Sequence, residues 1–263
     1  MRKRYPAPGS SEDVLAGWAV MSTPTGPGVT GDGWTILVPV KALPHAKTRL
    51  ITALSPAGRR ALVLGMASDV LVACADAPGV SLVRVITSDP DVSTLAEDLG
   101  LETVPDPRTT GTRDPLNAAV DAVVRGTAGP VGVVTADLPE LRASLLGRLL
   151  GAATAHPHST VPDHRGSGTT MAFWSGAATG PDRDSVRVSR FGPGSAARFR
   201  VDGGAVDLAE LDPGGAGRRD VDTPEDLAAL TGRTVGAATA AALRVHSGTL
   251  SSPGPGVSAT MVS

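Results

Sequence analysis

Apolar residues along this chain follow two alternating rhythms. Short runs rich in Val and Ile mark buried strands, and longer stretches with apolar positions every three or four residues mark amphipathic helices. "WTILVPV", from Trp34, predicts a buried strand. "SPAGRRALVLGMASDVLVACADA" predicts a long helix capped by Ser55, with Pro56 at the first helical position, where a missing N–H costs nothing. "SLVRVITSD" reads as a strand, "VSTLAEDLG" as a short helix ending at Gly100, "DPLNAAVDAVVRG" as a helix stopping at Gly126, and "VGVVTA" as a central strand. "PELRASLLGRLLGAATA" is helical in pattern from Pro139, "STVPD" and "TTMAFWS" read as strands, and "SAARFR" opens a helix after a Gly-rich turn. "RRDVDTPEDLAAL" ends a strand and opens a helix through Thr223 and Pro224. The alternation predicts a single-domain α/β fold, a mostly parallel sheet with helices on both faces, whose ligands bind beyond the carboxyl ends of the strands.

The patterned region spans residues 34–232. Residues 1–33, rich in Gly, Pro, Ser and Thr, read as a disordered N-terminal tail, and 233–263 as a largely disordered C-terminal one. Met21 offers a second plausible start. A chain cut to 34–234 is therefore expected to fold and act like the whole. With 263 residues, 41% of them hydrophobic, one substantial core is expected, and a net charge of -2 argues against a broad nucleic-acid or anionic-membrane surface. No apolar run approaches the ~20 residues of a membrane span, and "MRKR" lacks the apolar stretch of a signal peptide, so a cytoplasmic location is expected. Cys74, the sole cysteine, reads as a small buried hydrophobe.

Charge then changes the picture. In "VVTADLPEL" an apolar strand runs into Asp137, which a parallel sheet would present at its ligand-binding edge. Lys41, Lys47 and Arg49 leave the first strand in "VPVKALPHAKTRL", a set of cations suited to a polyphosphate, though a solvated basic loop explains them equally well. "GPGVTG", from Gly26, matches the dinucleotide pattern but precedes the first strand, where that motif has no function. Asp220 and Asp222, two apart at a strand end, face the same way. With Asp137 they suit magnesium, which takes oxygen ligands from one or two carboxylates and from substrate phosphates. Asp222 has a plainer alternative beside the cap Thr223, with Asp226 three residues on, as a charge favouring a helix start. "GSGTT" and "FGPGS" are turns whose free N–H groups suit an anion, or else flexible loops. The five histidines show no metal-ligand spacing, and there is no G-x-S-x-G elbow or Cys-His pair, which leaves little for a hydrolase or zinc reading.

Taken in order, "VPVKALPHAKTRL", "DPLNAAV", "TADLPEL", "GSGTTMAF", "RFGPGSAARF" and "RRDVDTPEDL" resemble the guanylyltransferases of coenzyme F-420 biosynthesis, which act on phosphoenolpyruvate or 2-phospho-L-lactate. The likeness covers residues 34–230. It implies a nucleotidyltransferase fold, like that of nucleotide-diphospho-sugar transferases, using GTP and magnesium. It sets Lys41, Lys47 and Arg49 near the triphosphate, Asn117 near the nucleotide, Asp137 and Asp220 at the metal-phosphate centre, and Thr169, Gly192 and Ser195 around phosphoenolpyruvate. Lys41, Asp137 and Asp220 form the implied catalytic set, and Asp137, Asp220 and Asp222 the metal set. Two positions depart from the family pattern: Thr170 replaces a frequent Asn, and Phe199 a frequent His, which would remove one cation from the acceptor pocket and leave Arg190 and Arg198 to compensate. The expected partners are GTP and phosphoenolpyruvate, without nucleic acid or membrane, and a homodimer is a candidate assembly. Rival readings are another acceptor (2-phospho-L-lactate, 3-phosphoglycerate or a molybdopterin) or a silent nucleotide-binding module. Asn in place of Asp137 or Asp220 is expected to remove turnover with little change in stability.

Overall fold

In the computed structural model, which describes residues 33–106, 114–176 and 187–247, the strands are β1 (Trp34–Pro39), β2 (Val80–Thr87), β3 (Glu102–Pro105), β4 (Val131–Val134), β5 (His158–Pro162), β6 (Thr169–Trp174) and β7 (Val206–Asp207). They form one sheet in the order β3-β2-β1-β4-β6-β5-β7. Every pairing is parallel except those of β6, which runs against β4 and β5. The helices are α1 (Pro56–Ala75), α2 (Pro90–Asp98), α3 (Pro115–Gly126), α4 (Ala143–Ala153), α5 (Ser195–Gly203), α6 (Pro224–Ala228) and α7 (Ala237–Ser247). None of the described helices is long and apolar enough to cross a membrane.

Strand alternation builds two cores. Ile36 and Val38 of β1 join α1 and α4 on one face, and Leu37 joins Val120, Val124 and Phe199 of α3 and α5 on the other. Both faces are covered, as the near-continuous apolar strands require. Each fully buried side chain of this size contributes roughly 1.5–3 kcal/mol relative to exposure. Gly132 is set by a close approach, because a Cβ there would lie 2.8 Å from Phe173 Cδ1 and 2.9 Å from Ile36 Cδ1. Cys74 is buried as expected, and burial pushes its thiol up to about 12. The expected Ser55 cap forms, its Oγ accepting from Gly58 N at 3.1 Å; Asp89, which the sequence pattern does not single out, caps α2 by accepting from Asp91 N and Val92 N while also holding Leu43 N.

Three expectations need correction. The helix after Asp137 does not begin at Pro139; Leu138 to Leu141 form a turn, Leu141 N donating to Leu138 O at 3.1 Å, and α4 starts at Ala143. The "RRDVD" stretch is not a strand, so strand alternation cannot be what aligns Asp220 and Asp222. The sequence 233–247, taken as part of a tail, carries α7, which lies on α1 at close range: a Cβ at Gly65 would come 2.9 Å from Ala238 O. Asp69 of α1 accepts from Ala238 N at 3.1 Å and Thr239 N at 2.8 Å, serving as a cap supplied by another helix. Burial raises the Asp69 carboxyl above its usual range, against the pull of these donors. The N-terminal tail, the decoy "GPGVTG", and the end beyond Ser247 lie outside the described residues.

Leu243 of α7 packs on a small core containing Leu50, Leu62, Met66 and Val221. Val221 sits between Asp220 and Asp222, so α7 supports the acidic segment. A chain ending at Thr234 should therefore melt below the full-length protein and lose activity, and Asp69→Ala should cost ~0.5–2 kcal/mol as a lost cap. Urea unfolding of both variants beside the intact chain checks this, and unchanged midpoints would refute the docking role of α7.

Candidate active site

The carboxyl ends of β1 and β4 lie side by side. Beyond β1 the chain makes two 3₁₀ turns, Leu43–His45 and Thr48–Thr52. Lys47, between them, has φ 50 and ψ 43 and is the sole non-glycine at positive φ among the described residues. For a non-glycine that conformation costs roughly 1–2 kcal/mol, and such strain persists where the surroundings over-determine it. The reason is its ammonium, which bridges Asp137 and Asp222, the latter at 2.5 Å. Lys47 is thus not a solvated basic loop residue. Lys41 and Arg49 are exposed at the same end and touch neither carboxylate.

Asp137 lies just past β4, and its carbonyl accepts from Val221 N at 3.2 Å. That backbone bond joins the two acidic segments, where the sequence pattern predicts a strand end at Asp220 and Asp222. Asp137, Asp220 and Asp222 each offer an oxygen within 4.8 Å of the others. Their upstream loop is built by Asp212, which accepts from Ala216 N and Gly217 N, and by Thr170, whose hydroxyl donates to Gly217 O at 2.7 Å. Thr170 is therefore a loop anchor buried under the site. The helix start does not need the Asp222 side chain for its hydrogen bonds: Thr223 and Asp226 form a complete capping box for α6, with Asp226 Oδ2 also accepting from Asp222 N. The side chain of Asp222 is left for the cluster.

One ammonium against three carboxylates leaves excess negative charge. Burial by itself would push the Lys47 ammonium down, but Asp137 and Asp222 outweigh it and hold it above the ordinary lysine range. Burial would likewise raise the Asp137 carboxyl, yet Lys47 keeps it below the usual range. Asp220, which Lys47 does not contact, is pushed up to about 7 by burial and by the charges of Asp137 and Asp222. Asp137 Oδ1 and the nearby-in-sequence Thr135 hydroxyl are buried without a well-formed hydrogen bond. Three converging carboxylates with excess negative charge are the kind of oxygen donor set that a hard divalent cation would satisfy. His164, which the sequence reading passed over, places Nδ1 3.9 Å from Asp220 Oδ1; no spacing pattern links it to the aspartates, and only the fold does.

The reversed strand supplies the opposite wall. Because β6 runs against β4, with Val134 beside Met171, its first residue Thr169 lies at the end of the sheet where Asp137 emerges. Ser195 Oγ donates to Thr169 Oγ1 at 3.0 Å, and Ala196 N to Ser167 O at 3.2 Å, so the two Gly-rich turns form one structure. Gly192 and Gly194 have φ of 112 and 71, backbone that favours glycine. Arg198 closes the turn, donating to the carbonyls of Pro193, Arg190 and Phe191. Phe199 faces away, fully buried against His158 and Phe191 with ring centroids 5.5 and 5.4 Å apart. Its replacement of a histidine therefore takes no cation from the turn, contrary to expectation. Asn117, expected near the nucleotide, is buried, with both amide atoms bonded to protein.

Comparison with known proteins agrees with this geometry. The family described as guanylyl transferase, CofC like, matches residues 34–177. Phosphoenolpyruvate guanylyltransferase of Mycolicibacterium gilvum (strain PYR-GCK) is 41% identical over 79% of this chain and 94% of its own. The protein of the same name from Streptomyces scabiei (strain 87.22) is 41% identical over 80% of this chain and 95% of its own. A putative nucleotide-diphospho-sugar transferase from Desulfovibrio desulfuricans G20 shares the fold, with a TM-score of 0.59 at 16% identity over 82% of this chain and 95% of that one. Joined to the acidic cluster at the end of β4, these matches establish that the chain belongs to the CofC-like guanylyl transferase family.

Proposed function

We propose that this protein transfers GMP from GTP to phosphoenolpyruvate, giving enolpyruvyl-diphospho-guanosine and pyrophosphate, a step of coenzyme F-420 biosynthesis. The observation that carries this reading is the convergence of Asp137, Asp220 and Asp222 at the carboxyl end of β4, facing the paired glycine turns. A silent nucleotide-binding module would have no need to hold three repelling carboxylates together. The names of the M. gilvum and S. scabiei relatives favour phosphoenolpyruvate over the other phospho-acids.

The acceptor phosphate is already ionised at neutral pH, so its oxygen attacks the α-phosphorus of GTP without a general base. The new P–O bond forms as the bond to the β-phosphate bridging oxygen breaks, and pyrophosphate leaves with that electron pair. Bringing two polyanions together is then the main barrier. Asp137, Asp220 and Asp222 would hold magnesium, which when bound neutralises phosphate charge and polarises the phosphoryl oxygens. Lys41 and Arg49, exposed beyond β1, reach for the triphosphate, and Lys47 holds Asp137 and Asp222 in register. Thr169, Ser195 and the Gly192 backbone form the acceptor wall, with the Arg198 charge behind it.

Pyrophosphate release with GTP and each acceptor should show kcat/KM for phosphoenolpyruvate at least ~10-fold above that for 2-phospho-L-lactate, the two differing in a planar against a tetrahedral carbon; a tenfold ratio corresponds to about 1.4 kcal/mol. A preference for 2-phospho-L-lactate would overturn the choice of acceptor. Asp137→Asn and Asp220→Asn should each lower turnover by about two orders of magnitude or more. Their stabilities should diverge, against the expectation that neither moves: Asp137→Asn strips a partner from the buried Lys47 ammonium and should lower the metal-free Tm. The Asp220 carboxyl, raised in the fold to about 7 from the ordinary aspartate value near 3.8, favours the folded state below the lower value and loses that contribution as pH rises toward the higher one. Asp220→Asn should thus melt above wild type at pH 8 without metal, with the gap shrinking at pH 5. Thermal scans at the two pH values check the sign.

A further inference from the structure

Asn117 is bonded on every side, and its partners all belong to two segments. Nδ2 donates to Asp114 Oδ2 at 2.6 Å and to Phe191 O at 2.9 Å. Oδ1 accepts from Phe191 N at 2.8 Å and from Ser189 Oγ at 2.6 Å. One helical turn on, Asp121 Oδ1 accepts from Ser189 N at 2.7 Å. The extended backbone of Ser189 and Phe191, which would ordinarily pair with a strand, is instead paired by side chains of α3. An amide can make two donor and two acceptor bonds of this kind, and here all are made.

The consequence falls on the next residue. A peptide bond is planar and trans, so fixing the carbonyl of Phe191 toward α3 fixes the Gly192 N–H on the opposite side. That N–H has no protein acceptor among the described residues. Gly192 then turns at φ 112, Gly194 at φ 71, and Ser195 opens α5 with its hydroxyl on Thr169. Asn117 therefore grips both peptide planes flanking Phe191 and sets the direction in which the glycine turn presents its donors.

We infer that Asn117 is a positioning residue for the phospho-acid acceptor, acting through the Gly192–Ser195 turn, and that it makes no contact with the nucleotide. This rests on the function proposed above. Asn117→Asp keeps the shape and the acceptor Oδ1 but loses both donors, releasing the Phe191 carbonyl and setting a second carboxylate beside Asp114; Asn117→Ala releases both peptide planes. With wild type first shown to turn over phosphoenolpyruvate, each variant should raise the KM for that acceptor ~10-fold or more and leave the KM for GTP within about twofold. Backbone amides of residues 189–196 should exchange with deuterium faster in the variants, a readout that needs no turnover. A raised KM for GTP with an unchanged acceptor KM would overturn the inference, as would equal rises in both, or a lower Tm with neither KM changed. Should wild type turn over none of the acceptors, the functional reading fails instead. If Asn117→Ala does not fold, Asn117→Asp decides.

Discussion

The constraint on which the rest of this structure depends is the mutual repulsion of three aspartates gathered at one sheet edge. Among the described residues no set of cations fully neutralises them: Lys47 reaches two, and Asp220 is left among like charges. Such a cluster must be imposed from outside, and the surrounding bonds are of that kind. The Val221 N–H on the Asp137 carbonyl holds the segments in contact, the Thr223–Asp226 box fixes the downstream helix, and Asp212 with Thr170 fixes the loop upstream. Val221 is driven inward among Leu50, Leu62 and Met66, so apolar burial supplies the free energy that opposes the charge repulsion. The fold is locally unfavourable where it is chemically useful.

Topology explains how two substrate sites come to share that edge. An all-parallel sheet would deliver only strand ends of one kind. The single reversed strand, β6, instead delivers its beginning, so that Thr169 and the turn before it stand opposite Asp137. Beyond β5 and β6 the chain returns through α5, whose first residue, Ser195, bonds Thr169. The parallel half thus presents the basic loop and the acidic cluster, and the reversed strand presents the glycine turns.

Much of this was legible in sequence because it is local. Ser55–Pro56, Gly100 and Gly126 mark helix ends by their own backbone preferences, and the apolar strands announce burial on both faces. Asp137 could be placed at a ligand edge because a carboxylate closing an apolar strand has few other uses. What sequence could not carry was long-range or built from unremarkable residues. The helix α7 escapes the sequence pattern because its docking face is alanine, threonine and one leucine, whose small side chains give little periodic contrast, and because its cap, Asp69, bonds residues 169 and 170 positions further along the chain. The bonding of Asn117 is hidden for a related reason: a short motif shows the amide but not its partners 72 and 74 residues away. Asp222 looked ambiguous because Thr223 and Asp226 form a cap beside it, and only the coordinates show that the cap is complete without it.

The net charge of -2 argues against a broad nucleic-acid or anionic-membrane surface, yet in the folded chain it is a cancellation of separated charges. Positive groups without carboxylate partners among the described residues stand on both walls of the site, Lys41 and Arg49 beyond β1 and Arg198 at the glycine turn; Arg190, expected to join Arg198 there, instead turns its guanidinium to Asp202 O at the end of α5. Arg198 bonds only carbonyls, which orient a guanidinium without neutralising it, so its charge remains available to an anion nearby. Between the walls lies the acidic cluster. A pattern of positive, negative, positive across one edge attracts phosphate from either side and a cation to the middle, and it does so at no change in overall charge. Composition sums these groups to almost nothing. The order in which the sheet sets them out is what gives the edge its chemistry.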